Sequence, residues 1–368
     1  MDLTAAAPHH RPATPLPARR PGPDVVRALA MAGVITMNYH GYLVLLGGRR
    51  DGGWLYDLFD PWTGPLSTRF AATFVLTAGV GVTLLTRSSL GDPVRVTDMR
   101  WRLVRRGLLL YAGGLLFDFI WSGTILVYYG AMFVIAALLF TLRSRWVVAI
   151  GAGAALAGWL VHWWVVAREA DDGDVRWLTS PGPRSPRGLL TDVFVNGTHP
   201  LLPWLAFLCA GIVLGRVLDT SWWRPAATAA GFATFTLGTL LAAPARSGVA
   251  AIVWTNDPFD RGIAYTMSAL GTALLAFTAI TVVADRFAET QAVEALRRAG
   301  QTSLSIYLAH ALVFNLVVNW LDVIEPAGIA TSLAFAWVMW LVVTTAAVAY
   351  HRRFGRGPAE RLYRRLTA

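Results

Sequence analysis

Charge is scarce in this chain and cysteine nearly absent. Of its 368 residues, 15% are charged and 55% hydrophobic, too apolar a balance for an ordinary soluble domain. The one cysteine, Cys209, falls in an apolar run; a single thiol excludes an intramolecular disulfide, and the position reads as a small core residue. Lysine is missing altogether, so all 32 basic residues are arginine. The short alternating segments of a β-barrel are lacking. No apolar segment with a small-residue cleavage site precedes the first long run, which argues against a signal peptide. Neither a Walker motif nor GxGxxG, GxSxG or HExxH occurs, so no metal site is expected and the chemistry falls to other groups.

What is present is a series of apolar runs of about 20 residues, each able to cross a ~30 Å hydrocarbon core as a helix. They predict spans at 25–46, 66–86, 103–120, 124–142, 146–167, 200–218, 225–243, 263–284, 302–321 and 328–350. The fold class is all-α integral membrane, a polytopic bundle of about ten transmembrane helices. Residues 1–23, rich in Pro, Ala, Arg and His without periodicity, read as a disordered cytoplasmic tail, with His9 and His10 solvated rather than metal-bound. Residues 24–350 form the transmembrane domain and 351–368 a basic cytoplasmic tail. With the N-terminus inside, the inner segments hold 23 of the 32 arginines but 9 of the 22 acidic residues. That asymmetry places both termini in the cytoplasm of a cell membrane. The net charge of +10 therefore reports topology, not nucleic-acid binding. The largest outer segments are 47–65, 168–199 and 244–262. The EADDGD and SPGPRSPRG clusters of the second argue against helix, and Trp54, Trp62 and Trp254 suit a membrane interface.

Polar side chains at membrane depth carry the functional question. The first run, VVRALAMAGVITMNYHGYLVLL, contains MNYHGY at 37–42. At ~1.5 Å per residue, Asn38 lies ~16 Å and His40 ~20 Å above Arg27, past the midplane. Polar groups at that depth face protein or a wet cavity. Two residues apart on a regular helix, the pair points in nearly opposite directions. Both reach one pocket only if the helix unwinds, for which Gly41, Gly47 and Gly48 offer the means. His310, in SLSIYLAH, lies mid-span and needs a hydrogen-bond partner. His199, in NGTHPLLPW, either lines an outer cavity or sits at the interface. Asp118 ends its span near the outer face. Arg69 opens its span on the outer side, placed to pair with Asp118 or to hold an anion. His162 precedes two tryptophans and reads as interfacial. On the inner side, RWRLVRRG brings Arg100, Arg102, Arg105 and Arg106, able to hold a phosphorylated nucleotide such as coenzyme A or simply to retain the loop inside.

A neutral imidazole takes a proton from a hydroxyl or amine as that group attacks a carbonyl, and an asparagine amide donates to the developing oxyanion. Both suit acyl transfer. The catalytic candidates are His40, as base, and Asn38; Arg69, Asp118, His199 and His310 are candidates for lining the cavity.

Several segments resemble a known family. PDVVRALAMAGVITMNYHGY is similar to the opening helix of the heparan-α-glucosaminide N-acetyltransferase-like membrane proteins and of the related bacterial family DUF418. Both begin with an Asp-x-x-Arg-Gly-Leu-Ala pattern, matched here by Asp24, Arg27, Leu29 and Ala30, with Ala28 in the glycine position. FVLTAGVGVTLLTR (74–87) and LVYYGAMFVIA (126–136) resemble later spans. HPLLPWLAFLCAGIVLGR (199–216) resembles a Pro-Leu-x-Pro-Trp-Leu segment ending in Gly-x-x-x-Gly-Arg. AGQTSLSIYLAH (299–310) resembles a Gly-x-x-Ser-Leu-x-x-Tyr-x-x-His motif shared with other membrane acyltransferases. The resemblance implies transfer of an acyl group, acetyl by analogy, from cytoplasmic acyl-CoA to a sugar or other polar envelope compound. It implies a helix-1 asparagine, matched by Asn38, and a histidine in the following loop. Positions 43–65 hold no histidine, so His40 stands nearest and His199 next.

The expected partners are the lipid bilayer and the polar acceptor, with a homodimer open because faces rich in small residues pack within or between chains. Two rival readings stand: a small-molecule transporter or flippase built on broken helices around a polar cavity, and a catalytically inactive membrane scaffold, to which the absent loop histidine points.

Overall fold

The structure, a computed structural model, describes residues 21–180 and 185–367. Most of the predicted N-terminal tail, including His9 and His10, lies outside the described residues, as do four positions of the SPGPRSPRG cluster. The described residues contain no β-strand. Helix α1 (Gly22–Leu45) begins with Pro23 in its first turn, where a missing N–H costs nothing, and Asp24 near the positive end of the helix dipole. Eleven further helices of eight or more residues follow: α2 (Arg69–Thr86), α3 (Pro93–Phe117), α4 (Leu126–Leu139), α5 (Ser144–Ala170), α6 (Leu201–Val217), α7 (Trp223–Ala242), α8 (Ile263–Arg286), α9 (Gln291–Gln301), α10 (Ser303–Phe314), α11 (Ile329–Phe354) and α12 (Pro358–Leu366).

Every predicted span is helical, and among the described residues seven helices are long and apolar enough to cross a membrane, or eight if the bent pair ending in α6 is one span. The expectation of ten meets three different obstacles. The inner half of α3 carries Arg95, Arg100, Arg102, Arg105 and Arg106. Helix α4 has 14 residues, which reach ~21 Å against a ~30 Å core. Helix α6 is preceded by a short helical segment, Pro186–Asn196, from which it bends by 56°. That segment overturns the expectation of no helix there: Pro186 occupies the first helical turn, and the Ser185 hydroxyl caps it by accepting from Gly188 N at 2.9 Å.

Helix α1 is the hub. It packs on α2, α8, α9, α10 and α11, and 67% of its apolar window is buried, against 17% for α7 at the periphery. Because lipid tails are as apolar as leucine, helices here associate by close packing rather than by escape from water. Glycine pairs provide it at three interfaces. Gly79 of α2 meets Gly211 of α6, Gly107 of α3 meets Gly130 of α4, and Gly231 of α7 meets Gly271 of α8. A Cβ on Gly211 would collide with the Leu76 carbonyl.

The predicted basic tail is structured. Helix α11 continues to Phe354, and α12 folds back against the start of α10. There the Glu360 carboxylate accepts from Leu304 N at 2.7 Å and Ser305 N at 3.1 Å. It thus satisfies donors that the first turn of α10 cannot satisfy internally. Tyr363 donates to the Arg106 carbonyl at 3.2 Å, which ties α12 to α3 as well.

Two outcomes test this packing. Gly211→Leu, which overpacks the α2–α6 contact, loses about 1–3 kcal/mol and melts lower in detergent, whereas Gly153→Leu, with open space around the glycine, melts unchanged. Glu360→Ala removes a cap worth about 1 kcal/mol, so amide exchange at Leu304 and Ser305 accelerates roughly five-fold while exchange in α1 stays the same.

Candidate functional site

Helix α1 stays regular through Leu45, so Asn38 and His40 diverge. His40 is fully buried beneath the loop that follows α1. Its ring meets Tyr56 of the short helix Trp54–Phe59 edge-on, with centroids 5.4 Å apart, and neither ring nitrogen finds a protein partner. Gly41 leaves room for Pro61 to close over this side, where a Cβ would lie 3.3 Å from the proline ring. Asp60 organises the loop by accepting from Trp62 N at 2.9 Å and Thr63 N at 2.8 Å. Burial pushes its carboxyl up, but these donors outweigh burial and hold it below the usual carboxylate range.

Asn38 faces the other way, half-buried, and its Nδ2 lies 3.3 Å from Nε2 of His310. The motif spacing explains the orientation of this histidine. Three residues separate Tyr307 from His310, one helical turn, so the ring folds back and Nδ1 donates to the Tyr307 carbonyl. That bond fixes the proton on Nδ1 and leaves Nε2 with its lone pair towards Asn38. The neighbouring residue on α1, Tyr39, donates to the His310 carbonyl at 2.8 Å and pins the α10 backbone. Trp121, Tyr307 and Tyr39 surround the imidazole at centroid distances of 5.2, 4.9 and 6.1 Å.

The α3–α4 connection supplies the remaining wall. The Tyr307 hydroxyl receives Ile125 N at 3.1 Å and lies 3.0 Å from Thr124 Oγ1. Asp118 accepts from Gly123 N at 2.9 Å and closes the turn, which Gly123 completes at φ +72°. Tyr42 donates to the Ser122 carbonyl and packs on Trp121 at 4.0 Å. Asp118 thus belongs to the same neighbourhood as Asn38 and His310 by holding its loop. Of these groups the sequence pointed to Asn38, His310 and Asp118; it missed Trp121, Thr124, Tyr307 and Tyr42, and the Tyr-x-x-His spacing was the one signal for Tyr307.

Arg69 and His199 lie elsewhere. Arg69 is 9% exposed and bridges α2 to α8, donating to the Pro65 carbonyl at 2.7 Å, Thr272 Oγ1 at 2.9 Å and Ser268 Oγ at 3.1 Å. These neutral acceptors, rather than Asp118, take its donors. His199 sits at the break before α6, edge-on to Trp204 at 4.4 Å and 5.9 Å from the Tyr128 ring. Tyr128 in turn donates to Asp192 at 3.0 Å. Arg261, which the sequence did not single out, holds this break through the carbonyls of Asn196 and Gly197 at 2.7 and 2.9 Å. His162 lines a separate outer cavity with Glu169, Asp260 and Arg261.

A cavity of about 460 Å³ is lined by Ser88, Ser89, Arg95, Asp98, Met99, Arg102 and Arg105. Arg102 keeps a buried Nε without a protein acceptor. Two of the four predicted cofactor arginines, Arg102 and Arg105, thus share a cavity suited to an anion. The other two are engaged: Arg100 donates to Thr141 Oγ1 at 3.1 Å, and Arg106 reaches Thr367 Oγ1 at 3.5 Å with its guanidinium 5.7 Å from the Tyr363 ring. No group of three or more metal-ligating side chains occurs among the described residues.

Comparison with known proteins places this architecture. Residues 206–368 match a family described as a protein of unknown function, DUF418. No curated protein matches the chain. Residues 19–246, more than half of the chain, match the family described as heparan-alpha-glucosaminide N-acetyltransferase, catalytic. The half-buried asparagine and its imidazole partner therefore sit in a membrane protein that belongs to the heparan-alpha-glucosaminide N-acetyltransferase catalytic family.

Proposed function

We propose that the chain is a multipass membrane acyltransferase. It moves an acyl group, acetyl by family likeness, from cytoplasmic acyl-CoA to the hydroxyl or amine of a sugar or other polar acceptor on the outer side of the cell membrane. The observation that carries this reading is the Asn38–His310 pair, an imidazole with its proton fixed on Nδ1 and its Nε2 beside an amide. The ten apolar segments read from the sequence cross or line the bilayer, and the arginine asymmetry supports termini in the cytoplasm. Arg102 and Arg105 hold the nucleotide phosphates of the donor in the inner cavity.

The step follows from the tautomer. Nε2 takes the proton of the acceptor O–H or N–H as that atom forms its bond to the thioester carbonyl carbon. Asn38, released from His310, donates to the oxyanion. The carbon–sulfur bond then breaks, and the imidazolium returns its proton to the leaving thiolate. His40 lies outside this geometry, beneath Tyr56.

Turnover of purified protein with acetyl-CoA and candidate acceptors, read as thiol release, tests the reading. His310→Gln lowers kcat by about 10²-fold or more, and Asn38→Ala by a similar factor. His40→Gln keeps most of the activity; loss there with retention in His310→Gln moves the base to His40. Arg102→Ala together with Arg105→Ala raises KM for the donor and leaves KM for the acceptor unchanged. The 56° break before α6 favours one alternative, a transporter. Uptake into proteoliposomes without any acyl donor, with no thiol release, replaces the transferase by that reading.

A further inference from the structure

Six positions of helix α1 are only half-buried: Pro23, Arg27, Leu29, Val34, Asn38 and Tyr42. At ~100° per residue, Arg27, Val34, Asn38 and Tyr42 fall within a sector of about 80° and form one stripe along a single face, which Pro23 widens by about 20°; Leu29 lies apart from it. The stripe carries the Arg27 guanidinium, 24% exposed, 3.7 Å from Asp24 and lodged against Gly81 of α2. The Asn38–His310 pair lies ~16 Å further along the helix.

Tyr129 of α4 packs on Phe74 at 5.6 Å and on Phe133 at 6.5 Å. Phe74 lies on the face of α2 that carries Phe70, which meets Gly33 of α1, and Gly81, which meets Arg27. Tyr129 is 7% exposed, and its hydroxyl has no hydrogen-bond partner in the protein. A buried hydroxyl without a partner costs about 1–3 kcal/mol, and phenylalanine would fill the same space without that cost. On the acyltransferase reading, a linear thioester carrier runs from an arginine pocket to His310, and Tyr129 lies about one helical turn along α4 from Ile125, whose N–H meets Tyr307. The arm of coenzyme A carries two secondary amides, and each needs a polar partner where the walls are apolar and aromatic.

We infer that Tyr129 is the positioning residue for the acyl donor, its hydroxyl hydrogen-bonding an amide of the donor's linear arm so that the thioester stops level with Asn38 and His310. The inference rests on the acyltransferase reading. It assigns the grip on the arm to Tyr129 and the grip on the phosphates to the inner arginines, two contacts that separate experimentally.

The test measures binding of coenzyme A and of adenosine 3′,5′-bisphosphate, which lacks the arm, to the full chain and to Tyr129→Phe by calorimetry, alongside donor KM, acceptor KM and Tm. The expected result is about tenfold weaker coenzyme A binding and a similarly raised donor KM, the effect of one lost hydrogen bond. Bisphosphate affinity and acceptor KM stay unchanged, and the Tm of the ligand-free protein holds or rises. Equal coenzyme A affinity in the two proteins overturns the inference and leaves the acyltransferase reading standing. A lowered Tm with equal losses for both ligands makes Tyr129 a packing residue and overturns it too. Wild-type protein that neither binds coenzyme A nor releases thiol overturns both readings together.

Discussion

A side chain that can hydrogen-bond, placed where there is no water, must find its partner in the protein or in what the protein binds. That constraint governs this bundle. Asn38 and His310 are 272 positions apart, and their contact gives α1 and α10 a single relative register. Tyr39 reinforces it through the His310 carbonyl, and Tyr307 extends it to the α3–α4 connection through Ile125. A shift of α10 by one turn would separate all of these donors and acceptors at once. The aromatic cage of Trp121, Tyr307 and Tyr39 keeps the pair out of the lipid and in a low-dielectric setting, where electrostatic contacts are strongest.

The inner end obeys the same rule with different residues. The first turn of α10 exposes unpaired N–H groups, and Glu360 from the last helix of the chain satisfies them. The helix that carries His310 is therefore held at its outer end by α1 and at its inner end by α12. Helix α12 also occupies Arg106 through Tyr363 and Thr367. The arginines at positions 102–106 consequently divide between an open cavity and a structural contact, although they are neighbours in sequence. Their helical phase decides this, since residues one apart project about 100° from each other.

How much of this was legible in the sequence depended on the range of the interaction. The helices were readable because a run of apolar residues is a local signal, and Asn38 stood out as an amide within one. Counting along α1 also predicted that Asn38 and His40 would part company unless the helix unwound, and it does not unwind. What sequence could not supply was the partner. His310 looked like a buried histidine in need of a hydrogen bond, and nothing local paired it with Asn38. Arg69 looked like an ion-pairing residue because arginine on the outer side is disfavoured; its solution, the hydroxyls of Ser268 and Thr272, lies on a helix two hundred positions away. The tail beyond residue 350 stood out by its basic charge, but the face that docks is carried by Glu360, Tyr363 and Thr367, spaced three and four residues apart.

The loop after α1 bears on where the proposed base stands. Family resemblance led to a base in that loop, and residues 43–65 contain none. The loop instead folds its short helix over His40, while Asn38, on the far side of α1, meets an imidazole delivered by α10. Proton transfer is indifferent to chain order and sensitive to geometry: it needs an Nε2 lone pair within reach of the acceptor, with Nδ1–H held by a carbonyl. Catalytic constellations of one geometry recur with their members in different sequence order. The Tyr-x-x-His turn of α10 meets the second requirement from within a single helix, because the ring folds back one turn onto the Tyr307 carbonyl. A base on a packed helix also differs physically from a base on a loop. Its position is fixed by the α1–α10 contact rather than by ordering a flexible segment, so less conformational entropy remains to be lost when substrate binds.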